Sequence, residues 1–181
     1  MLGSLNVVHR QQPSCALLGH VRIDTDRVPP FAFVPNVDCG YGTLSMPEPT
    51  YIRDISTESL DRCLASDSCI SSFYKRFLGT SPVVRSHFAN TDMDTQQKAL
   101  AQMLRVLGSA VVGDPHGLAE LAARAETHSR RRMNITPDLY ELWYEALMVT
   151  ASEHDPAWSP EIEAAWRHTL ELAIQYMIAR A

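Results

Sequence analysis

The segment LAELAARAETHSRRR, residues 118–132, ends an apolar pattern in a histidine. Successive helical residues step by about 100°, so Leu118, Leu121, Ala125 and His128 fall within an arc of roughly 80°. An imidazole on a core-facing stripe has three uses. It can be a satisfied core residue, a cation favoured at a helix C-terminus, or a ligand or proton acceptor. Two other helical patterns carry groups that could act beside it. Gln96, Leu100, Met103 and Leu107 share an arc of about 60°, and Ile70, Tyr74 and Phe77 share a face. An amide and a phenol that project among apolar residues are hydrogen-bond donors.

These residues need helices to position them, and helices are legible from residue 56 onward. One pattern begins at Ser56/Thr57, with Glu58 and Asp61 in its first turn. It runs, with a bend near SDSC, to Gly79. Pro82 starts a short helix, PVVRSHF. Thr91 or Asp92 caps MDTQQKALAQMLRVLGSAVV, which Gly113-Asp114-Pro115 stops. The helix that ends at His128 follows. Thr136-Pro137 and Ser159-Pro160 open the last two, each a cap residue followed by proline at the first helical position. Both carry apolar stripes, from Leu139 to Leu147 and from Ile162 to Met177. No strand alternation follows residue 56, so the fold class is all-α. Residues 1–45 hold several prolines and glycines without a helical period, and read as an irregular or disordered extension.

Composition removes several classes of function. The 181 residues suit one domain, with 45% apolar and 20% charged residues and a net charge of −5. No global basic field exists to hold nucleic acid. No apolar run has the ~18 residues that a membrane span needs. The N-terminus lacks a signal-peptide layout, so cytoplasm is the expected location. The cysteines are Cys15, Cys39, Cys63 and Cys69, with no CxxC pair. On one straight helix Cys63 and Cys69 would stand about 240° apart, so both are expected as free thiols.

The order of motifs resembles the bacterial globins, both single-domain globins and the haem domain of flavohaemoglobins. FYKRF, SPVVRSHF, QQKAL, ETHSRRR, ITPDLY and a last helix with EAAW occur in that order, over roughly residues 46–180. The resemblance implies a three-over-three globin fold over 46–181 with a b-type haem. It implies that His128 is the proximal iron ligand and that Phe88 stacks on the haem. Leu100 covers the haem, while Tyr74 and Gln96 face a distal ligand, with Gln97 the neighbouring alternative. Tyr140 hydrogen-bonds the proximal imidazole. The Arg130–Arg132 run is a candidate for the haem propionates, and His87, His116, His154 and His168 are read as surface residues.

The chain departs from the flavohaemoglobin pattern in three places. The loop from His128 to Tyr140 is two residues longer, and that from Phe88 to Gln96 two shorter. The glutamate that those enzymes join to the proximal pair would fall at Ala181. Single-domain relatives start about 28 residues before the distal tyrosine, which makes Met46 the expected functional start. The expected function is reversible binding of O2, with CO and NO as related ligands. The alternatives are nitric oxide dioxygenation with a separate reductase, and gas sensing through a partner.

Overall fold

The computed structural model describes residues 48–180. The expectations placed on residues 1–45 and on Met46 lie outside the described residues, as do Cys15, Cys39 and Ala181. The described residues form seven helices and no strand. They are α1 (Pro49–Leu64), α2 (Cys69–Thr80), α3 (Pro82–His87), α4 (Met93–Val111), α5 (Pro115–His128), α6 (Pro137–His154) and α7 (Pro160–Ile178).

Local chemistry sets most boundaries. Proline occupies the first turn of α1, α3, α5, α6 and α7, where its missing N–H costs nothing. Asp92 caps α4 by accepting from the Asp94 N–H at 3.1 Å, and Asp114 caps α5 by accepting from the Gly117 N–H at 2.8 Å. Ser159 does the same for Ile162 at 3.3 Å. Thr136 holds the N-cap position of α6 without a side-chain bond. Gly113 closes α4 with φ of 81°, a conformation that suits glycine.

The first helix differs from the sequence expectation. It begins at Pro49, about two turns earlier than Ser56, because Pro49 itself starts the helix and Ile52 is already buried. The expected bend is a full break. Ser66 N–H donates to the Cys63 carbonyl at 3.1 Å, and Cys69 N–H to the Ser66 carbonyl at 3.0 Å. The Ser66 and Ser68 hydroxyls pair at 3.0 Å, so local polar bonds replace the helical ladder.

The layers follow from which helices pack together. One layer runs α1, α4, α5, and the other α2, α6, α7, with α7 crossing under α1, α4 and α5. Phe73, Leu121, Leu170 and Val84 are fully buried between them. Gly117 lets α5 start hard against the end of α4, where a Cβ would come within 2.6 Å of the Ala110 nitrogen. That close approach sets where α5, and so His128, lies relative to α4.

A polar network ties α1 to the α6–α7 corner. The Asp155 carboxylate accepts from Arg62 Nε at 2.6 Å, from Arg62 Nη2 at 2.8 Å and from the Ser59 hydroxyl at 2.5 Å. It also accepts from the Ala157 N–H at 2.9 Å, while Trp166 Nε1 donates to Ser59 at 2.8 Å. These donors, Arg62 foremost, hold the Asp155 carboxyl down at about 2, against an ordinary 3.8. A depressed carboxyl stabilises the fold above its unfolded pKa, and that stabilisation is lost as pH falls from 3.8 through about 2. We expect about 2 kcal/mol from this one group. Urea unfolding of wild type and Asp155→Asn at several acid pH values should show a steeper pH dependence in wild type. Parallel curves would disprove the assignment.

Candidate haem site

A cavity of about 210 Å³ opens between α4 and α5 and is closed by α2, α6 and α7. Each element contributes the face that its sequence spacing set out. From α2 come Tyr74 and Phe77, from the end of α3 Phe88, and from α4 Gln96, Leu100, Met103 and Leu107. From α5 come Arg124 and His128, from α6 Tyr140 and Trp143, and from α7 Ala173, Ile174 and Met177. All six residues selected from the sequence, Tyr74, Phe88, Gln96, Leu100, His128 and Tyr140, therefore line one cavity. Gln97 does not.

His128 ends α5, and its Nδ1 lies 3.1 Å from the Tyr140 hydroxyl. The chain between them makes a tight return. Ile135 N–H donates to the His128 carbonyl at 3.1 Å, and Asn134 N–H to the Ser129 carbonyl at 2.9 Å. Asn134 adopts φ of 51°, a left-handed turn that asparagine tolerates. Tyr140 thus arrives one turn into α6 with its ring 6.0 Å from the imidazole.

The electrostatics keep the imidazole neutral. Burial lowers the His128 pKa, and the Arg124 guanidinium one helical turn earlier lowers it further. Burial pushes the Tyr140 phenol up to about 12, so it stays protonated at neutral pH. With the proton on Nδ1, the imidazole donates to the Tyr140 oxygen and Nε2 keeps its lone pair. Nε2 has no hydrogen-bond partner among the described residues, and His128 lines the cavity.

The distal candidates form a second group. The Tyr74 hydroxyl donates to the Gln96 backbone carbonyl at 3.4 Å, a long and weak bond. Burial raises its pKa, with a smaller opposing effect from the Gln96 side chain. The Tyr74 ring is 4% exposed, gripped edge-on by Phe73 at 4.9 Å and Phe88 at 5.8 Å. Phe88 also meets Phe77 at 5.9 Å.

Some sequence expectations need correction. Arg130–Arg132 do not line the cavity, and Arg132 instead pairs with Glu126 at 3.2 Å. Arg124 lines it while remaining exposed, which places it at the mouth. The signal was available: Arg124 stands four residues before His128, on the same helical face. Trp143, three residues after Tyr140, was legible in the same way. His87 is exposed as expected, yet it also lines the cavity. His168 is half-buried rather than exposed, and His154 is half-buried against the Ser66 hydroxyl at 3.2 Å.

The donor set fits a macrocyclic iron. No group of three or more His, Cys, Asp or Glu side chains converges among the described residues, so none makes a protein-only metal cage. One free imidazole nitrogen that faces an apolar cavity suits an iron whose equatorial positions come from a porphyrin. Among the described residues, no Asp or Glu lines that cavity.

Comparison with known proteins agrees. The globin family model matches residues 71–177, more than half of the chain. The chain belongs to the globin family, and membership implies haem binding. It is similar to the crystal structure of protein PA3967 from Pseudomonas aeruginosa PAO1, described as structurally highly homologous to a human hemoglobin. The two share 33% identity with a TM-score of 0.68, over 71% of this chain and 97% of that one. No curated protein matches.

The Arg124 charge has a measurable effect in the haem-free protein. Removing it in Arg124→Gln should raise the His128 pKa, while burial, the larger cause, keeps the value below the ordinary 6.5. Proton NMR titration of the imidazole would detect this. An unchanged or lowered pKa would contradict the geometry.

Proposed function

We propose that this globin binds haem b with His128 as the proximal iron ligand and binds O2 reversibly, with CO and NO as related ligands. The observation that carries the reading is the His128–Tyr140 pair. Tyr140 fixes the imidazole through Nδ1 and leaves Nε2 for the iron. When bound, the haem iron supplies the sixth coordination position at which a diatomic ligand is taken up. The remaining roles belong to the chain. Phe88 and Leu100 hold the ring by apolar contact, and Arg124 is the cation placed to pair with a propionate at the mouth.

Tyr74 and Gln96 act on the ligand. The Tyr74 hydroxyl gives up little when it turns from its 3.4 Å contact, so its proton is available to an acceptor in the cavity. The half-buried Gln96 side chain supplies a second donor from α4. Both stabilise a ligand that carries partial negative charge, and so slow its release.

The cavity favours binding over nitric oxide dioxygenation. A carboxylate joined to the His128–Tyr140 pair would raise electron donation by the imidazole. Among the described residues that line the cavity, the charge that acts on His128 is the cation Arg124, which works in the opposite sense.

The visible spectrum with added haemin tests the assignment. Wild type should give a sharp Soret band that shifts on reduction and with CO, and His128→Ala should lose or alter it. A broad adsorbed-haemin spectrum in both would overturn the assignment. Tyr74→Phe should raise the O2 dissociation rate about tenfold, the worth of one charge-assisted hydrogen bond. Stopped-flow O2 displacement by CO measures it. Rapid NO decay with an added reductase, above the haemin background, would instead favour the dioxygenase.

A further inference from the structure

Among the described residues, most arginines have a partner. Arg53, Arg62, Arg76, Arg105, Arg132 and Arg167 pair with carboxylates. Arg85 donates to the Leu78 carbonyl at 3.1 Å, and the Arg180 guanidinium lies 3.8 Å from the centre of the Tyr176 ring. The guanidiniums of Arg124, Arg130 and Arg131 have neither an ion pair nor a hydrogen bond among these residues, and all three are exposed. They fall within residues 124–131, on either side of His128, in a chain whose net charge is −5. Met133 follows them at 42% exposure and lines the haem cavity, so it stands at the mouth, as Arg124 does.

We propose that the turn of Arg130, Arg131 and Met133 is the docking surface for an acidic flavoprotein that returns ferric haem iron to the ferrous state. The inference rests on the haem reading of His128. On that reading Arg124 serves a propionate, and Arg130 and Arg131 stay free for a partner. Neither of them lines the haem cavity, so they stand on an open turn and enclose no small anion. A nucleic acid or an anionic membrane is broad enough to meet the acidic remainder of the chain as well. A small acidic protein need touch only this turn. Exposed methionine beside arginine is also the composition of a protein interface.

The position of the turn gives the partner its task. O2 is bound by ferrous iron, and iron that has become ferric needs one electron before it binds O2 again. A reduced flavin supplies that electron. Its anionic hydroquinone is oxidised to the neutral semiquinone, the ferric iron is reduced to ferrous, and no proton moves. The turn follows His128 directly in the chain, so a donor docked there stands beside the proximal side of the cavity. Electron-transfer encounters bury little surface. Cations that speed encounter and one apolar contact that seats it are enough for such a complex.

The test uses the full chain, with flavodoxin, an acidic flavin protein, as the probe. Its first readout does not depend on haem. Oxidised flavodoxin should shift the Met133 methyl NMR signal of the chain as purified at about 0.01 M ionic strength, and the shift should vanish at about 1 M. In the haemin-loaded chain, reduced flavodoxin should reduce the ferric iron in stopped flow. Arg130→Glu combined with Arg131→Glu should slow that reduction about tenfold at low salt. Arg53→Glu lies on α1, which contributes nothing to the cavity, and should leave shift and rate as in wild type. A Met133 shift in a chain that gives no Soret band with haemin would overturn the haem reading and the electron-transfer role with it. An unshifted Met133 in a chain that does bind haemin would overturn the docking surface alone. An equal loss in Arg53→Glu would overturn it too, as would a shift caused by tripolyphosphate or phosphatidylglycerol vesicles in place of flavodoxin.

Discussion

One imidazole has to be kept neutral, oriented and surrounded by apolar atoms, and the placement of every helix around the cavity follows from that. His128 is the last residue of α5, where a helix C-terminus ordinarily favours a protonated histidine. Burial and the Arg124 charge work against that tendency. The Tyr140 hydroxyl then engages one ring nitrogen and leaves the other. Burying a histidine with a single partner costs free energy, so the rest of the chain must stabilise the arrangement.

A polar network away from the cavity fixes the helices that carry it. The Asp155 network joins α1 to the α6–α7 corner through Ser59, Arg62 and Trp166, and none of these residues lines the haem cavity. A buried ion pair of this kind adds less net stability than its contacts suggest, because both charges leave water. Its geometric effect is clearer. Bidentate Arg62 and the Ser59 hydroxyl leave Asp155 few alternative partners, so α1 meets the corner in one register. With α7 so anchored, Leu170, Ala173 and Met177 close the cavity from below.

The sequence made the helices of residues 82–178 readable because their ends are written in cap residues and prolines. Asp92, Asp114, Ser159 and the prolines that follow such caps act locally, within one turn. The start of α1 was harder to read. Pro49 stands in a proline-rich stretch, and its helical role depends on Ile52 finding a core to enter. In sequence the break at 65–68 resembles a bend, for a related reason. Serine and aspartate tolerate a helix, and only the competing bonds of Ser66 and Ser68 decide against it.

The cavity residues were legible in a similar graded way. Tyr74, Gln96 and His128 follow from helical spacing combined with family order, since each sits on a stripe whose other members are apolar. Arg124 is inconspicuous in sequence, because an arginine on a helix is usually a solvated residue and the run at 130–132 is the denser basic feature. Helical geometry separates the two cases. Arg124 shares the face of His128, whereas the helix has ended before Arg130 and the turn carries that run away from the cavity. The same geometry gives the proximal side its character. Among the described residues that line the cavity, the charged neighbour of His128 on its own helix is the Arg124 guanidinium, one turn earlier. His128 is held at Nδ1 by a neutral phenol and stands beside a positive charge, and both features leave Nε2 unprotonated toward the cavity.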